Sequence, residues 1–341
     1  MQIRFQQVKK LVQVLVVFSL IFSIAGASGA LAAPAKASYE YYVVGNDADV
    51  TRSTTAGQLL MGGGTDVDAA FQWMINKAGG GDFVVIRATG TDAYNPYIYG
   101  LGTVDSVATI IIKNRAAASD PFVVNKIRNA EALFIAGGDQ NDYVTLWKGT
   151  PVEDAIHYLV TRNVPIGGTS AGLAVMGEFL FSAANGTIDS STALSNPYNG
   201  KVALDRDFLV LPNMGGLITD SHFVTRDRMG RLVTFLARIV KDGWASTAKG
   251  VGIDEMTAIA VEANGSATVL GSGAAYFLRT PGMPEVCQAK KALTYHNVSV
   301  YRVSGSATFN FSTWSGSGGT SYSLNADNGV LTSTQAGGGI Y

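Results

Sequence analysis

A single cysteine, Cys287, occurs in the 341 residues, so no internal disulfide can hold this chain together. An oxidising compartment is tolerated but not used. Its neighbours Pro284, Glu285 and Gln288 give the thiol no catalytic context, and Cys287 is expected to be structural. Histidine is nearly as scarce: His157, His222 and His296 are the only three, and any reaction needing an imidazole must use one of them. Charged residues make up 15% of the chain against 47% hydrophobic ones, which excludes disorder and implies a globular core. No Lys/Arg-rich block occurs, which argues against nucleic acid as a partner. Neither a Walker pattern with its lysine nor a G-x-G-x-x-G is present, which argues against nucleotide binding. No cluster with metal-ligand spacing is recognisable either.

What is abundant is glycine, at 40 residues, much of it in short clusters. The chain opens with Arg4, Lys9 and Lys10 ahead of an apolar run over residues 11–25, then Ala30-Leu31-Ala32. This is the pattern of an export signal with a small-x-small cleavage site, expected over residues 1–32. The alternative is a retained anchor, but the apolar run is shorter than the ~20 residues that span a bilayer. Cleavage would leave 22 basic against 26 acidic side chains, a mildly acidic mature protein that is secreted or periplasmic with no stable membrane association.

Downstream, short β-branched runs alternate with helical periods. Strands are expected at 59–61, 83–87, 108–112, 132–136 and 164–166, and helices at 67–77, 121–128 and 152–161. The alternation predicts an α/β fold, a mostly parallel sheet with helices on both faces, over residues 39–280. Ligands in such folds bind beyond the carboxyl ends of strands, where Gly62-Gly63-Gly64, Gly137-Gly138 and Gly167-Gly168 fall. Residues 281–341 change texture to Ser, Thr, Gly and aromatics in near alternation, a small β-rich C-terminal extension.

The central signal is Gly168-Thr169-Ser170-Ala171-Gly172, which satisfies G-x-S-x-G with an apolar strand before it and a helix-compatible run to Phe181 after it. A tight turn there pushes the Ser170 hydroxyl out at the strand end and aims the Ala171 amide at a developing oxyanion. A serine nucleophile needs a base. His157 lies in a helical run and His296 in the β extension, which leaves His222, after the apolar segment 215–220, as the best candidate. Arg226, Arg228 and Arg231 follow it and suggest carboxylate recognition. The acid that holds the imidazole is expected to be Glu255, at the end of another apolar run, with Asp189 as the alternative.

Four segments in order carry a resemblance: Ala136-Gly137-Gly138-Asp139-Gln140, Gly167-Gly168-Thr169-Ser170-Ala171-Gly172, Asp220-Ser221-His222-Phe223 with Arg226, Arg228, Gly230 and Arg231, and Gly252-Ile253-Asp254-Glu255. Together, over about residues 59–280, they resemble the cyanophycinases and their relatives in peptidase family S51. The resemblance implies a class I glutamine amidotransferase-like, flavodoxin-like fold with serine in place of cysteine. It implies Ser170 as nucleophile and His222 as base, and the Gly138 amide beside that of Ala171 in the oxyanion hole. Gln140, Asp220, Ser221 and the three arginines would line the substrate site. Cyanophycinases usually carry glutamine where this chain has Ser221, a shorter side chain at a substrate-contacting position.

The resulting expectation is an exported serine exopeptidase acting on cyanophycin or related β-aspartyl or aspartyl peptides. Such a triad needs no metal or cofactor, and a homodimer is compatible with the reading. Two alternatives stay open: an α/β-hydrolase-type esterase, which would have to use His296 and lacks a His-Gly-Gly-Gly motif, and a non-catalytic binding protein of the same fold.

Overall fold

A computed structural model describes residues 36–341, so the export signal expected over residues 1–32 lies outside the described residues. The first half alternates as its periodicity predicts. Strands β1 (Tyr39–Gly45), β2 (Gly57–Met61), β3 (Asp82–Arg87), β4 (Ser106–Ile112), β5 (Ala132–Ile135) and β6 (Ile166–Thr169) are interleaved with helices. These are α1 (Asp68–Lys77), α2 (Tyr94–Tyr99), α3 (Pro121–Asn129), α4 (Gln140–Trp147) and α5 (Pro151–Thr161). Local chemistry starts α3: the Asp120 carboxylate caps it by accepting from the Phe122 amide at 2.9 Å, with Pro121 in the first turn.

The second half adds α6 (Ala171–Ala174), β7 (Phe179–Phe181), α7 (Ser190–Ser195), β8 (Leu204–Arg206), β9 (Leu217–Asp220), α8 (Met229–Lys241) and β10 (Lys249–Ile253). It ends in strands alone: β11 (Thr257–Glu262), β12 (Ser266–Gly271), β13 (Ala275–Arg279), β14 (Tyr295–Val303), β15 (Thr308–Asn310), β16 (Ser315–Ser317), β17 (Thr320–Asp327) and β18 (Val330–Ser333).

The strands form two sheets, ordered β1-β4-β3-β5-β6-β2-β11-β12-β15-β16 and β18-β17-β14-β13-β10-β9-β7-β8. The α/β character is as expected, and both sheets are mixed rather than parallel throughout. Parallel pairing is confined to β4-β3-β5-β6-β2 and to β10-β9-β7. The reason is connection length. Helical crossovers join the parallel strands β2 to β6, while the tight turns joining β11 to β12, β15 to β16 and β17 to β18 permit only antiparallel pairing. Strands after residue 281 are shared between the sheets: β14, β17 and β18 extend one and β15 and β16 the other.

Both faces of the first sheet are covered, which the near-continuous apolar runs of its central strands require. Leu60, Val84 and Ile86 pack with Ile127 of α3 and Ile156 and Leu159 of α5. Their alternating neighbours Leu59, Met61, Phe83 and Val85 pack with Phe71 and Met74 of α1 and Ile98 of α2. The second sheet buries Ile218, Tyr276 and Val298 against Leu232, Phe235 and Leu236 of α8.

Two local expectations are corrected. The strand expected at 164–166 begins at Ile166 and runs on to Thr169, because pairing with β2 and β5 on both sides overrides the poor strand propensity of Gly167-Gly168. The helix after Ser170 stops at Ala174 instead of reaching Phe181. Phe179–Phe181 is recruited as β7 between β8 and β9, and a short run buried on every side has no periodicity that separates strand from helix.

Candidate active site

The turn from β6 into α6 holds Ser170 at φ 53°, ψ −111°, a conformation that costs a non-glycine residue of order 1–3 kcal/mol. It survives because its surroundings over-determine it. The Ser170 amide donates to Met61 O at 3.2 Å and its carbonyl accepts from the Ala174 amide at 3.0 Å. The close approach leaves room only for glycine behind the serine: a Cβ on Gly172 would lie 2.0 Å from the Ile135 carbonyl oxygen.

His222 follows β9 directly and also adopts positive φ, 46°. Its Nε2 lies 2.8 Å from Ser170 Oγ and its Nδ1 lies 2.6 Å from Glu255 Oε1. A carboxylate can only accept, so the proton belongs on Nδ1 and Nε2 is left free to accept from the serine. Glu255 follows β10, the parallel neighbour of β9, and that adjacency brings acid and base together. Burial holds the His222 imidazole below the ordinary histidine value; the Glu255 carboxylate opposes this, and the positive charges of Arg226 and Arg228 add to it. At neutral pH the ring is therefore an unprotonated base.

Asp189 does not reach this chain of hydrogen bonds. It caps α7, accepting from the Thr192 amide at 2.7 Å and from the hydroxyls of Ser191 and Thr192 at 2.7 and 2.8 Å, which lower its pKa to about 2. His157 accepts from the Val210 amide at 3.0 Å, and His296 sits on β14 beside Glu285 at 3.1 Å. Neither joins Ser170. Cys287 is buried, with no nucleophilic context, and burial pushes its thiol up to about 11.

The backbone of Gly62-Gly63-Gly64 supports the base, a role that sequence reasoning missed. Gly62 O accepts from the His222 amide at 2.7 Å, and Gly63 O accepts from the Met256 amide at 2.9 Å. Gly63, at φ 91°, lies so close to the imidazole that a Cβ there would be 2.5 Å from its Cε1. Three glycines after a strand, without any phosphate-binding motif, were the available signal that a side chain presses on the backbone there.

In front of Ser170 lies a cavity of about 450 Å³ lined by Gly138, Gln140, Ala171, Asp189, Asp220, Ser221, His222 and the three arginines. Among the described residues the amides of Gly138 and Ala171 donate to no protein acceptor. Gln140 opens α4 and donates to the Phe181 carbonyl at 3.3 Å.

The arginines are not equivalent. Arg231, 2% exposed, grips Asp220 with two donors at 2.7 and 2.5 Å and turns its third toward Thr187 Oγ1 and Ile188 O. Arg228 donates to Ser221 O at 2.8 Å and reaches Ser221 Oγ and Asp220 at 3.3 and 3.4 Å; burial lowers its pKa to about 10. The Arg226 side chain is exposed and has no hydrogen-bond or ion-pair partner among the described residues.

The model of peptidase family S51 matches residues 100–269, about half of the chain. The cyanophycinase of Synechococcus elongatus is 32% identical over 172 residues, 50% of this chain and 48% of that protein. The cyanophycinase of Nostoc sp. is 28% identical over 205 residues, 59% of this chain and 63% of that protein. The chain thus spans about half to two thirds of the length of these relatives. A solved peptidase from an acI-B1 Actinobacterium superposes with a TM-score of 0.46 and 15% identity, covering 66% of this chain and 91% of that one. With the family model and these relatives agreeing, the chain belongs to peptidase family S51.

Proposed function

We propose that this protein is an exported serine peptidase of cyanophycinase type, hydrolysing cyanophycin or related β-aspartyl and aspartyl peptides. The observation that carries the reading is the unbroken file Ser170–His222–Glu255, at 2.8 and 2.6 Å, at the mouth of a polar cavity. In the proposed reaction Ser170 Oγ attacks the amide carbon while its proton passes to His222 Nε2. Glu255 stabilises the imidazolium so formed, and the Gly138 and Ala171 amides receive the oxyanion. Breakdown expels the amine, which takes the proton from His222. Water, deprotonated by the same ring, then releases the acid and restores the serine hydroxyl.

The arginines divide the substrate work. Arg226, and the donors that Arg228 does not spend on Ser221, are suited to the carboxylate of an aspartyl residue. Arg231, committed to Asp220, shapes the floor of the cavity. Export rests on the N-terminal sequence; among the described residues no helix is long and apolar enough to cross a membrane.

The test is release of β-aspartyl-arginine from purified cyanophycin, with Ser170→Ala as control. Release by the parent and not by the variant supports the mechanism and the substrate. A Ser170→Ala protein with the full rate would overturn the mechanism. The esterase alternative is disfavoured because His296 pairs with Glu285 on β14 and not with Ser170.

A further inference from the structure

Tyr143 has no atom in the cavity wall, yet its hydroxyl lies beneath the loop that forms part of that wall. The side chain is 1% exposed within α4 and stacks on Trp147, with ring centroids 4.3 Å apart and planes 11° from parallel. Its one hydroxyl proton is shared between the carbonyls of Ala136, at 2.8 Å, and Gly137, at 3.0 Å. Burial pushes the phenol far above its ordinary pKa, so it stays a donor at any working pH.

A planar trans peptide points its carbonyl and the following N–H in opposite directions. Holding Gly137 O against Tyr143 therefore turns the Gly138 N–H away from Tyr143. Two contacts fix what lies on each side. A Cβ on Gly138 would meet the Tyr143 hydroxyl at 2.8 Å, whereas one on Gly137 would meet Ser170 Cβ at 3.5 Å. The loop is thus wedged between the tyrosine and the serine, with Gly138 lining the cavity beside Ala171.

We propose that Tyr143 is a positioning residue that fixes the Gly138 amide as an oxyanion donor; this rests on the serine-peptidase reading above. Without the hydroxyl, the flexible Gly137-Gly138 peptide can rotate, and an oxyanion donor contributes only when it is already aimed. The ring's stacking on Trp147 is untouched by Tyr143→Phe, which isolates the hydroxyl.

The experiment follows the labelling of Ser170 by a fluorophosphonate, which needs no knowledge of the natural substrate. In that step the Oγ–P bond forms, the P–F bond breaks, fluoride leaves and the serine proton moves to His222, while the phosphoryl oxygen occupies the oxyanion position. Outright loss of one oxyanion donor costs about 10²–10³-fold, so a loosened donor is expected to slow saturated labelling on the order of tenfold in Tyr143→Phe. The half-saturating probe concentration and the acid limb of the pH profile, which reports His222, should not move. Gly138→Ala should be slow as well, and Gly138→Ala with Tyr143→Phe no slower than the worse single variant, since the missing hydroxyl leaves room for the new methyl. Wild-type labelling speed in Tyr143→Phe, or additive losses in the double variant, overturns the proposal alone. A rate loss accompanied by a moved half-saturation and a moved acid limb overturns it too, as general disruption. No labelling of the parent protein defeats the serine reading itself.

Discussion

His222 Nδ1 lies 2.6 Å from Glu255 Oε1, across the parallel pair β9 and β10, and this contact decides which way the imidazole faces. The two residues are 33 positions apart and meet only because their strands end side by side. Glu255→Gln would present an amide donor to Nδ1 and favour the tautomer with its proton on Nε2, which cannot accept from Ser170. A fall in turnover of about 10⁴-fold is expected, as for the equivalent change in serine triads. Asp189→Asn should leave Ser170 labelling near the wild-type rate. Parallel labelling of the two variants checks both.

The charge of Arg226 acts on His222. The proposed mechanism requires the neutral ring, which is present above the folded-state pKa and lost as pH falls through it. Burial, Arg226 and Arg228 hold that pKa below the ordinary value, so the acid limb of activity should lie below the usual histidine range. Arg226→Ala removes one positive charge, raises the His222 pKa and moves the limb to higher pH. Pre-steady-state labelling against pH measures it, and the displacement should shrink with added salt because Arg226 is exposed.

Gly63 offers a steric test of the cradle under the base. Alanine there would place a methyl 2.5 Å from the imidazole at φ 91°. The ring must move, and a displacement near 1 Å costs roughly 10²-fold in rate. Kinetics of Gly63→Ala should show the loss in kcat, with thermal unfolding showing a destabilisation of about 1–3 kcal/mol from the strained backbone.

The ion pair between Arg231 and Asp220 is buried on both sides, at 3% side-chain exposure each. Removing one partner leaves the other charge dry and unpaired. Asp220→Ala is therefore expected to cost about 3–5 kcal/mol in denaturant unfolding, more than any substitution of exposed Arg226.

Tyr341 ties the C-terminal strands to the loop that carries the base. Its hydroxyl accepts from the Met229 amide at 3.0 Å, at the start of α8, and donates to Asp227 Oδ1 at 2.7 Å, while its ring packs edge-on against Phe223. Tyr341→Phe should lower stability by about 1 kcal/mol, seen as a reduced Tm. Because Asp227 sits at φ 45° between Arg226 and Arg228, protection of Ser170 by small dicarboxylates should weaken in the same variant.

The Ser170 elbow was legible in the sequence because its requirements are local: an apolar strand, a strained serine and small residues where strand and helix nearly touch. Scarcity did similar work for the base, since three histidines left one at a strand end. The alternating core of residues 57–169 was legible for the same reason, as burial on two faces writes itself into consecutive residues. Tertiary structure alone decided the rest. Glu255 and not Asp189 meets His222 because β9 and β10 are neighbours, a pairing that neither segment specifies alone. Arg231 is committed to Asp220 while Arg226 faces the cavity, although both follow the same histidine, because Arg231 lies buried in the first turn of α8 and Arg226 in the exposed loop before it. Phe179–Phe181 became a strand, and Tyr341 became a clasp, through partners far along the chain. Contacts of that kind leave no period in the sequence; the packing of the two sheets creates them.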